Sequence, residues 1–282
     1  MYRDCCVENE KTVYQSVIEE KFCCAIVPVF NHAHTLEKVL TDVAQHIPYI
    51  IVVNDGSTDH SEPLLSKLQQ NLPSYLFPLD VIHLPTNQGK GKALQEGFRR
   101  AVKAGFRYAI TIDADGQHFA DDIPHFITMI RKYPGSLIVG ARNMQQEGVP
   151  GKSSFGNSFS NFWYRVETGV KLPDTQSGFR LYPVERLRRM RFFTHKYEFE
   201  IEILVRAAWM GCRIHHVPVR VYYAPEERRI SHFRPFRDFA RISLLNAVLT
   251  LIALLWVRPR NFVRKFIGMV GDLCKQAFVF ID

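Results

Sequence analysis

The sequence predicts an α/β protein in which helices flank a mostly parallel sheet. Two observations carry this prediction: short apolar runs alternate with segments that repeat apolar residues at helical spacing, and polar clusters follow two of the runs. Such alternation is typical of strand–helix–strand units, whose crossover helices make neighbouring strands parallel. Ligands bind beyond the carboxyl ends of the strands in such sheets, so the polar clusters fall where a site is expected.

Five strands are predicted between residues 23 and 142. Each is a short apolar run, and their sequences are CCAIVPVF, YIIVVND, VIHLP, YAITIDAD and SLIVGAR. A helix is predicted after each of the first four strands. The second of these helices is expected at residues 61–70. The other three repeat apolar residues every three or four positions: Leu36, Val39, Leu40 and Val43; Leu94, Phe98, Ala101 and Val102; Ile123, Phe126, Ile127 and Ile130. Beyond residue 150 the pattern predicts helices at 154–168 and 198–210 and a strand in RIHHVPVRVYY.

Three parts are expected along the 282 residues: a polar arm at 1–20, one domain at 21–232, and a basic, apolar segment at 233–282. The hydrophobic share of 46% is ordinary for a globular chain, so a substantial core is expected. Six cysteines without a CxxC spacing disfavour a zinc site or a disulfide framework and favour reduced thiols. The first residues carry no apolar stretch, so no secretory signal is expected.

The C-terminal part concentrates the positive charge. The formal net charge is +8, and residues 213–282 hold twelve Lys or Arg against five Asp or Glu. Within this part, SLLNAVLTLIALLWV is an apolar run of about fifteen residues, whereas roughly 20 are needed to span a bilayer. We therefore expect a peripheral or monotopic association with the cytoplasmic face of a membrane, with residues 236–270 lying in the interface or pairing with 262–280. The absence of a recognisable binding signature disfavours nucleic acid.

The strongest chemical motif is Asp113-Ala114-Asp115, which follows an apolar strand. Two carboxylates at this spacing can flank one divalent cation, and Gln117 can add a carbonyl oxygen. Oxygen ligands suit Mg²⁺ or Mn²⁺, which would in turn hold a diphosphate. The alternative is a solvated turn, since Asp and Gly favour turns in any case.

Two further clusters lie at the predicted binding edge. Asn54 and Asp55 end the second strand, where Asp55 could accept a hydrogen bond from a nucleobase; the alternative is a plain connection to the next helix. The segment NQGKGK, with Lys92 at its end, opens a helix and could hold phosphate on its backbone amides. It lacks P-loop spacing, and an ordinary loop with solvated lysines is the alternative.

Two clusters lie outside the nucleotide-binding half. In DTQSGFR, Asp174 could be a general base and Arg180 a phosphate clamp, or the segment could be a turn with a surface salt bridge. In RRISHFR, Arg229 and His232 could contact an acceptor phosphate, or they could form a solvated face beside the membrane.

Together the motifs VPVFN, VVNDGSTD, NQGKGKALQEGF, TIDADGQH and DTQSGFR resemble glycosyltransferase family 2, in its dolichyl-phosphate mannose synthase-like branch. The resemblance runs from about residue 23 to 225. It implies a GT-A fold, a nucleotide-diphosphate sugar donor and a divalent metal. It also implies that Pro28 begins the nucleotide-binding edge, that Asp55 meets the base, and that Asp113 lies near the ribose and metal. In similar enzymes, the positions of Asp115 and Gln117 coordinate the metal and that of Asp174 is the catalytic base.

The expected activity is transfer of a sugar to a lipid or lipid-phosphate acceptor at the membrane surface. If the acceptor is a hydroxyl, Asp174 would remove its proton; if it is a phosphate, which is already ionised, Asp174 would orient it or balance charge. A nucleotidyltransferase that releases pyrophosphate and a non-catalytic nucleotide-sugar-binding protein are the alternatives.

Overall fold

The computed structural model describes residues 21–71, 79–146, 149, 151–223, 235–260 and 263. The predicted arm at 1–20 therefore lies outside the described residues. The described chain forms seven strands: β1 (Cys23–Val29), β2 (Ile50–Asn54), β3 (Leu79–His83), β4 (Tyr108–Thr111), β5 (Leu137–Arg142), β6 (Arg180–Pro183) and β7 (Ile214–Val219).

Eight α-helices surround the strands within the same ranges. They are α1 (Ala33–Ala44), α2 (Ser61–Asn71), α3 (Lys90–Ala104), α4 (Ile123–Lys132), α5 (Gly151–Thr168), α6 (Val184–Leu187), α7 (Phe199–Trp209) and α8 (Pro235–Ile252). A 3₁₀ turn at Ala120–Asp122 precedes α4, and a π-helical turn at Ala253–Val257 continues α8.

The strands form one sheet in the order β3-β2-β1-β4-β6-β5-β7. All neighbouring pairs are parallel except those of β6, which runs antiparallel to both β4 and β5. The mostly parallel α/β fold that the sequence predicts is thus confirmed. The sequence pattern missed β6, because its four residues, which begin at the last residue of the DTQSGFR motif, are too few to show a period.

Both faces of the sheet are covered, so its central strands are buried throughout. All seven residues of β1 and all five of β2 are buried. One face packs against α1 and α4, which bury the four apolar residues predicted for each of them. The other face packs against α3, with α7 and part of α8 in the same cluster. The helical phases therefore follow from the sequence, because each apolar stripe has a sheet face to cover.

The last described helix is longer than the apolar run in the sequence indicates. The helical segment Phe236–Arg260 has 25 residues, with a mean hydropathy of 2.0 in its most apolar window, of which 28% is buried. Its length and composition would allow it to cross a membrane, although the apolar run visible in the sequence is only about fifteen residues long. Its inner face is nevertheless buried in the domain at Ile242, Leu245 and Leu249.

The outer face of this segment is apolar and exposed. Leu244, Leu251, Leu255 and Trp256 are between 57% and 75% exposed. The inner face contacts α5 and α7, so the segment is a docked helix whose second apolar face has no cover among the described residues. Two apolar faces on one helix are more than a soluble domain needs.

Close packing of α3 on β1 gives a first prediction, at Gly97. A Cβ at this position would lie 2.5 Å from Cγ2 of Ile26, a stiff β-branched side chain in the core. Gly97→Ala should therefore lower the free energy of unfolding by about 1–3 kcal/mol, measured by urea denaturation, although alanine favours helix.

Gly151→Ala is the matched control, because a Cβ at Gly151 meets nothing within 4 Å. That variant should be as stable as the parent or slightly more so. Equal stability of the two variants would contradict the close approach of α3 to the sheet.

Candidate active site

A cleft of about 750 Å³ opens at the carboxyl ends of the central parallel strands. The loops after β1, β2 and β4 form its floor, because parallel strands end at the same edge. The beginning of α3, the residues before α7 and the first turn of α8 complete its walls. Five residues singled out from the sequence line this cleft together: Pro28, Asp55, Asp113, Asp115 and Gln117.

Asp55 ties the end of β2 to the loop before α3. Its two carboxylate oxygens accept hydrogen bonds from the backbone N–H groups of Gln88 and Gly89, each at 2.8 Å. Burial raises the pKa of Asp55, and the two amides oppose that rise. The next residue, Gly56, has a φ of +65°, and a Cβ there would lie 2.4 Å from the backbone of Thr86. Only glycine therefore lets the two loops approach this closely.

Asp113 forms an ion pair with a lysine that the sequence analysis did not select. Nζ of Lys90 lies 2.8 Å from Oδ1 of Asp113 and 3.1 Å from Oε2 of Glu200. Burial favours the neutral form of Asp113, but the charge of Lys90 outweighs it and lowers the pKa of the carboxyl. The three side chains join the ends of β4, α3 and α7 at one point. A Cβ on Gly178 would lie 2.7 Å from Oδ2 of Asp113, so the backbone of Gly178 closes over the pair.

Asp115 lies in the same cleft without a basic partner among the described residues. Its Oδ1 accepts a hydrogen bond from the backbone N–H of Gln117 at 2.9 Å. Burial and the nearby charge of Asp113 raise the pKa of Asp115 to about 6. Negative charge is therefore held in the cleft at an energetic cost that a cation would relieve.

The donor set fits a hard divalent cation. The described residues contain no cluster of three or more His, Cys, Asp or Glu arranged to hold a metal. Asp113 and Asp115 nevertheless offer carboxylate oxygens and Gln117 an amide oxygen, the ligands that suit Mg²⁺ or Mn²⁺. The close approach of two carboxylates and the preference of these ions for oxygen ligands both agree with a divalent cation at this position.

Asp174 does not line this cleft. It is fully buried, and its oxygens accept from Nε and Nη2 of Arg142 at 2.6 and 3.0 Å. It also accepts from the backbone N–H groups of Gln176 and Ser177. Burial opposes ionisation, but Arg142 and the backbone donors lower the pKa of Asp174 below its usual range. The carboxylate in this conformation organises a turn.

Arg180 is fully buried as well and does not line the cleft. Its guanidinium donates to the backbone carbonyls of Ser177, Glu200 and Thr175 at 2.6, 2.6 and 2.8 Å. This contact set differs from the phosphate contact expected from the sequence. Asp174 and Arg180 together hold the turn that carries Gly178 against Asp113.

The other expected residues are spread around the site. Asn54 is buried beside Asp55, where its Oδ1 accepts from the N–H of Ser57. Lys92 does not line the cleft and pairs with Glu96 at 3.1 Å. Arg229 and His232 lie outside the described residues.

Helical phase distinguishes Lys90 from Lys92. Lys90 precedes Ala93, Leu94 and Gly97 by three, four and seven positions, and all three are buried. Lys92 precedes Glu96 by four positions on the outer face. That phase is visible in the sequence and would have identified Lys90 as the inward lysine.

Comparison with known proteins agrees with this architecture. Residues 24–191 match the model of the family described as glycosyl transferase family 2. Undecaprenyl-phosphate mannosyltransferase of Micrococcus luteus is 26% identical over 202 residues, which cover 69% of this chain and 81% of that protein.

Two solved structures share the fold at lower identity. Residues 1–349 of S. aureus TarS match with a TM-score of 0.52 and 19% identity over 81% of this chain, which spans only 65% of that longer one. Glucosyl-3-phosphoglycerate synthase from Mycobacterium tuberculosis, solved with Mn²⁺ and UDP-glucose, matches with a TM-score of 0.56 and 17% identity, covering 82% of this chain and 78% of that one. The fold is therefore of the GT-A type.

The ion pair of Asp174 generates the prediction of this subsection. Asp174→Asn should lower the free energy of unfolding by about 3–5 kcal/mol, because it leaves the mostly buried charge of Arg142 without its partner. Asp42→Asn, which breaks an exposed pair with Lys38, is the control and should change stability by at most about 1 kcal/mol.

The pH dependence of stability has a defined sign. The pKa of Asp174 is lowered by folding, so its pairing contributes stability that is fully present above the unfolded value of about 4. That stability is lost as the pH falls through the lower, folded pKa. The Asn variant should lose less stability than the parent over this acid range, and an unchanged acid profile would contradict the ion pair.

Proposed function

Because the chain belongs to glycosyltransferase family 2, and is therefore a glycosyltransferase, we propose that it transfers a sugar from a nucleoside-diphosphate sugar to the phosphate of a polyprenyl-type lipid at a membrane surface. The observation that carries this proposal is the cleft in which Asp55, Asp113 and Asp115 face the first turn of α8. The Micrococcus relative, whose name specifies undecaprenyl phosphate, supports the same acceptor class.

The donor would lie along the loops after β1 and β2. Asp55 and the backbone beside Pro28 would hold the base, and Asn54 would act indirectly by fixing the turn that carries Asp55. The amino-terminal end of α3 would face the diphosphate, because its backbone N–H groups and its dipole favour anions. Lys196, which is exposed and lines the cleft, would add a cation on this side.

Asp113, Asp115 and Gln117 would hold Mg²⁺ or Mn²⁺ against the diphosphate. When bound, the ion would neutralise the charge that develops on the leaving diphosphate. The Mycobacterium neighbour, solved with Mn²⁺ and UDP-glucose, supports the use of a divalent metal with a nucleotide sugar. Lys90 would keep Asp113 ionised and aligned, and the turn held by Asp174 and Arg180 would keep Gly178 behind that pair.

A phosphate acceptor agrees with the environment of Asp174. A hydroxyl acceptor needs a base, whereas a phosphate oxygen is already ionised and attacks the anomeric carbon without losing a proton. The bond from that carbon to the diphosphate then breaks, and the nucleoside diphosphate leaves with the electron pair. A carboxylate paired with Arg142 and lowered in pKa is a weak base, which favours the acceptor that needs none.

The outer face of α8 would lie in the lipid surface. Its exposed side chains include Leu244, Leu251, Leu255 and Trp256, whereas its inner face is buried in the domain. A helix docked in this way suits interfacial binding. Cys23, Cys24 and Cys212 are buried free thiols, which suits the reducing cytoplasmic side of the membrane.

Metal dependence can be tested with Asp115→Ala. Transfer should fall by roughly 10²–10³, since removal of one electrostatic stabiliser usually costs that much. Chelation with EDTA should abolish transfer by the parent, and Mn²⁺ should restore it. The measurement is release of nucleoside diphosphate from a panel of UDP- and GDP-sugars in the presence of a membrane extract.

Asp42→Ala serves as the control, because Asp42 is an exposed carboxylate that does not line the cleft. It should keep full activity. Undiminished transfer in excess EDTA would remove the metal from the mechanism, and pyrophosphate as the product would identify a nucleotidyltransferase.

Membrane association can be tested with the double variant Leu255→Gln and Trp256→Gln. It should bind anionic vesicles at least tenfold more weakly in a sedimentation assay, because each apolar side chain contributes about 1.5–3 kcal/mol when buried. Met210→Gln replaces an exposed apolar residue at the end of α7 and should not alter binding. Vesicle binding that is unchanged in the double variant would remove this face from the proposal.

A further inference from the structure

The amino-terminal end of α8 forms one wall of the cleft. Arg237, Asp238 and Arg241 line it together with the carboxylates that follow β4. The next residues along the same helix carry the exposed apolar face described above. A single helix therefore faces both the proposed donor site and the proposed lipid surface.

The charged residues at this end of α8 differ in how firmly they are held. Asp238 is buried, and its Oδ1 lies 3.5 Å from Nη1 of Arg241. Arg237 is exposed, and no ion pair or hydrogen bond engages its guanidinium within the described residues. Asp238 thus anchors one arginine, while the other presents an uncommitted cation to the cleft.

Tyr197 lines the cleft together with this end of α8 and the proposed metal ligands. It has a pKa raised to about 12, mainly by burial. The charge of Lys90 opposes that rise, whereas the charges of Asp113, Glu200 and Asp238 add to it. The amino-terminal end of α8 therefore lines the same cleft as the proposed metal ligands Asp113 and Asp115.

We propose that Arg237 and Arg241 form a phosphate-binding rim that receives the phosphate of the lipid acceptor beside the sugar donor. This inference rests on the proposed function. The acceptor brings negative charge toward a diphosphate and toward Asp113 and Asp115, which would repel it without added cations. Guanidinium groups suit this role because they bind phosphate oxygens in pairs and remain charged.

The arginines would position the acceptor without taking part in proton transfer. The phosphate oxygen forms a bond to the anomeric carbon as the bond from that carbon to the diphosphate breaks. The electron pair leaves with the nucleoside diphosphate, and both arginines stay protonated throughout. Their contribution is therefore expected in the Michaelis constant of the acceptor.

The experiment compares Arg237→Ala, Arg241→Gln and the parent, with farnesyl phosphate as the acceptor and the UDP- or GDP-sugar that the parent uses fastest as the donor. Arg237→Ala should raise the KM for farnesyl phosphate roughly tenfold or more, the usual worth of a hydrogen bond to a charged group. The KM for the donor should change less than twofold, and Arg237→Lys should recover part of the acceptor affinity. Arg241→Gln should act in the same direction.

Arg260→Ala is the matched control. Arg260 lies on the same helical segment, is exposed, and stands roughly 35 Å from Arg237 at 1.5 Å per residue. Its removal changes the charge of the protein equally, so an unchanged acceptor KM separates local phosphate binding from general attraction to an anionic lipid.

The outcomes distinguish this inference from the proposed function. If the parent transfers sugar to no polyprenyl phosphate, the proposed function fails and the rim fails with it. If the parent is active but neither arginine variant alters the acceptor KM, or Arg260→Ala alters it equally, the rim is overturned and the proposed function stands. A donor KM raised as much as the acceptor KM would also overturn it, because the cations would then serve the diphosphate. Arg237→Ala is the decisive variant, since an exposed arginine that has no partner among the described residues can be removed without loss of folding.

Discussion

The site depends on the burial of one lysine between two carboxylates. Lys90 begins α3, Asp113 follows β4, and Glu200 lies in the first turn of α7, so their ion pairs join three elements that are distant in sequence. An unpaired charge at this depth would be costly, so each partner fixes the position of the others. The backbone at Gly178 fits against the pair only because it carries no side chain. The turn held by Asp174 and Arg180 therefore serves the same constraint.

Charge pairing in the cleft leaves one carboxylate distinct. Asp55 is held by two backbone amides, Asp113 by Lys90 and Asp238 by Arg241. Within the described residues, Asp115 accepts hydrogen bonds from backbone N–H groups, that of Gln117 among them, but forms no ion pair, and it stands beside another carboxylate. In the part of the chain that the structure describes, Asp115 is thus the cleft carboxylate with neither a basic partner nor a pair of backbone donors from another loop, at the position where the donor set suits a divalent cation. This imbalance supports a metal independently of the DxD pattern.

The sequence predicted correctly the features that show a repeating apolar spacing or that lie at the end of a strand. The buried stripes of α1 and α4 follow from spacing, and the shared edge of Asp55, Asp113 and Asp115 follows from parallel topology. It missed β6, whose four residues show no period, and it chose Lys92 although the helical phase favoured Lys90. Asp174 and Arg180 could not be resolved in this way, because a turn-forming pair and a catalytic pair have the same composition. The arginines of α8 could not be located either, since only tertiary packing brings that helix to the cleft.

The docking of α8 links the two surfaces that the proposed reaction needs. Ile242, Leu245 and Leu249 bury its inner face in the same core that supports α3 and α7. Packing therefore sets the distance between the outer face of α8 and Asp113, because close-packed cores do not yield freely. If that outer face lies in the lipid surface, the acceptor phosphate must stand at one fixed depth beside the donor. A phosphate attached directly to a lipid chain meets this requirement, whereas an acceptor group carried several sugars away from the lipid would lie beyond the reach of Arg237. Under the proposed function, the position of this one helix would select the acceptor through its distance from the membrane as well as through its charge.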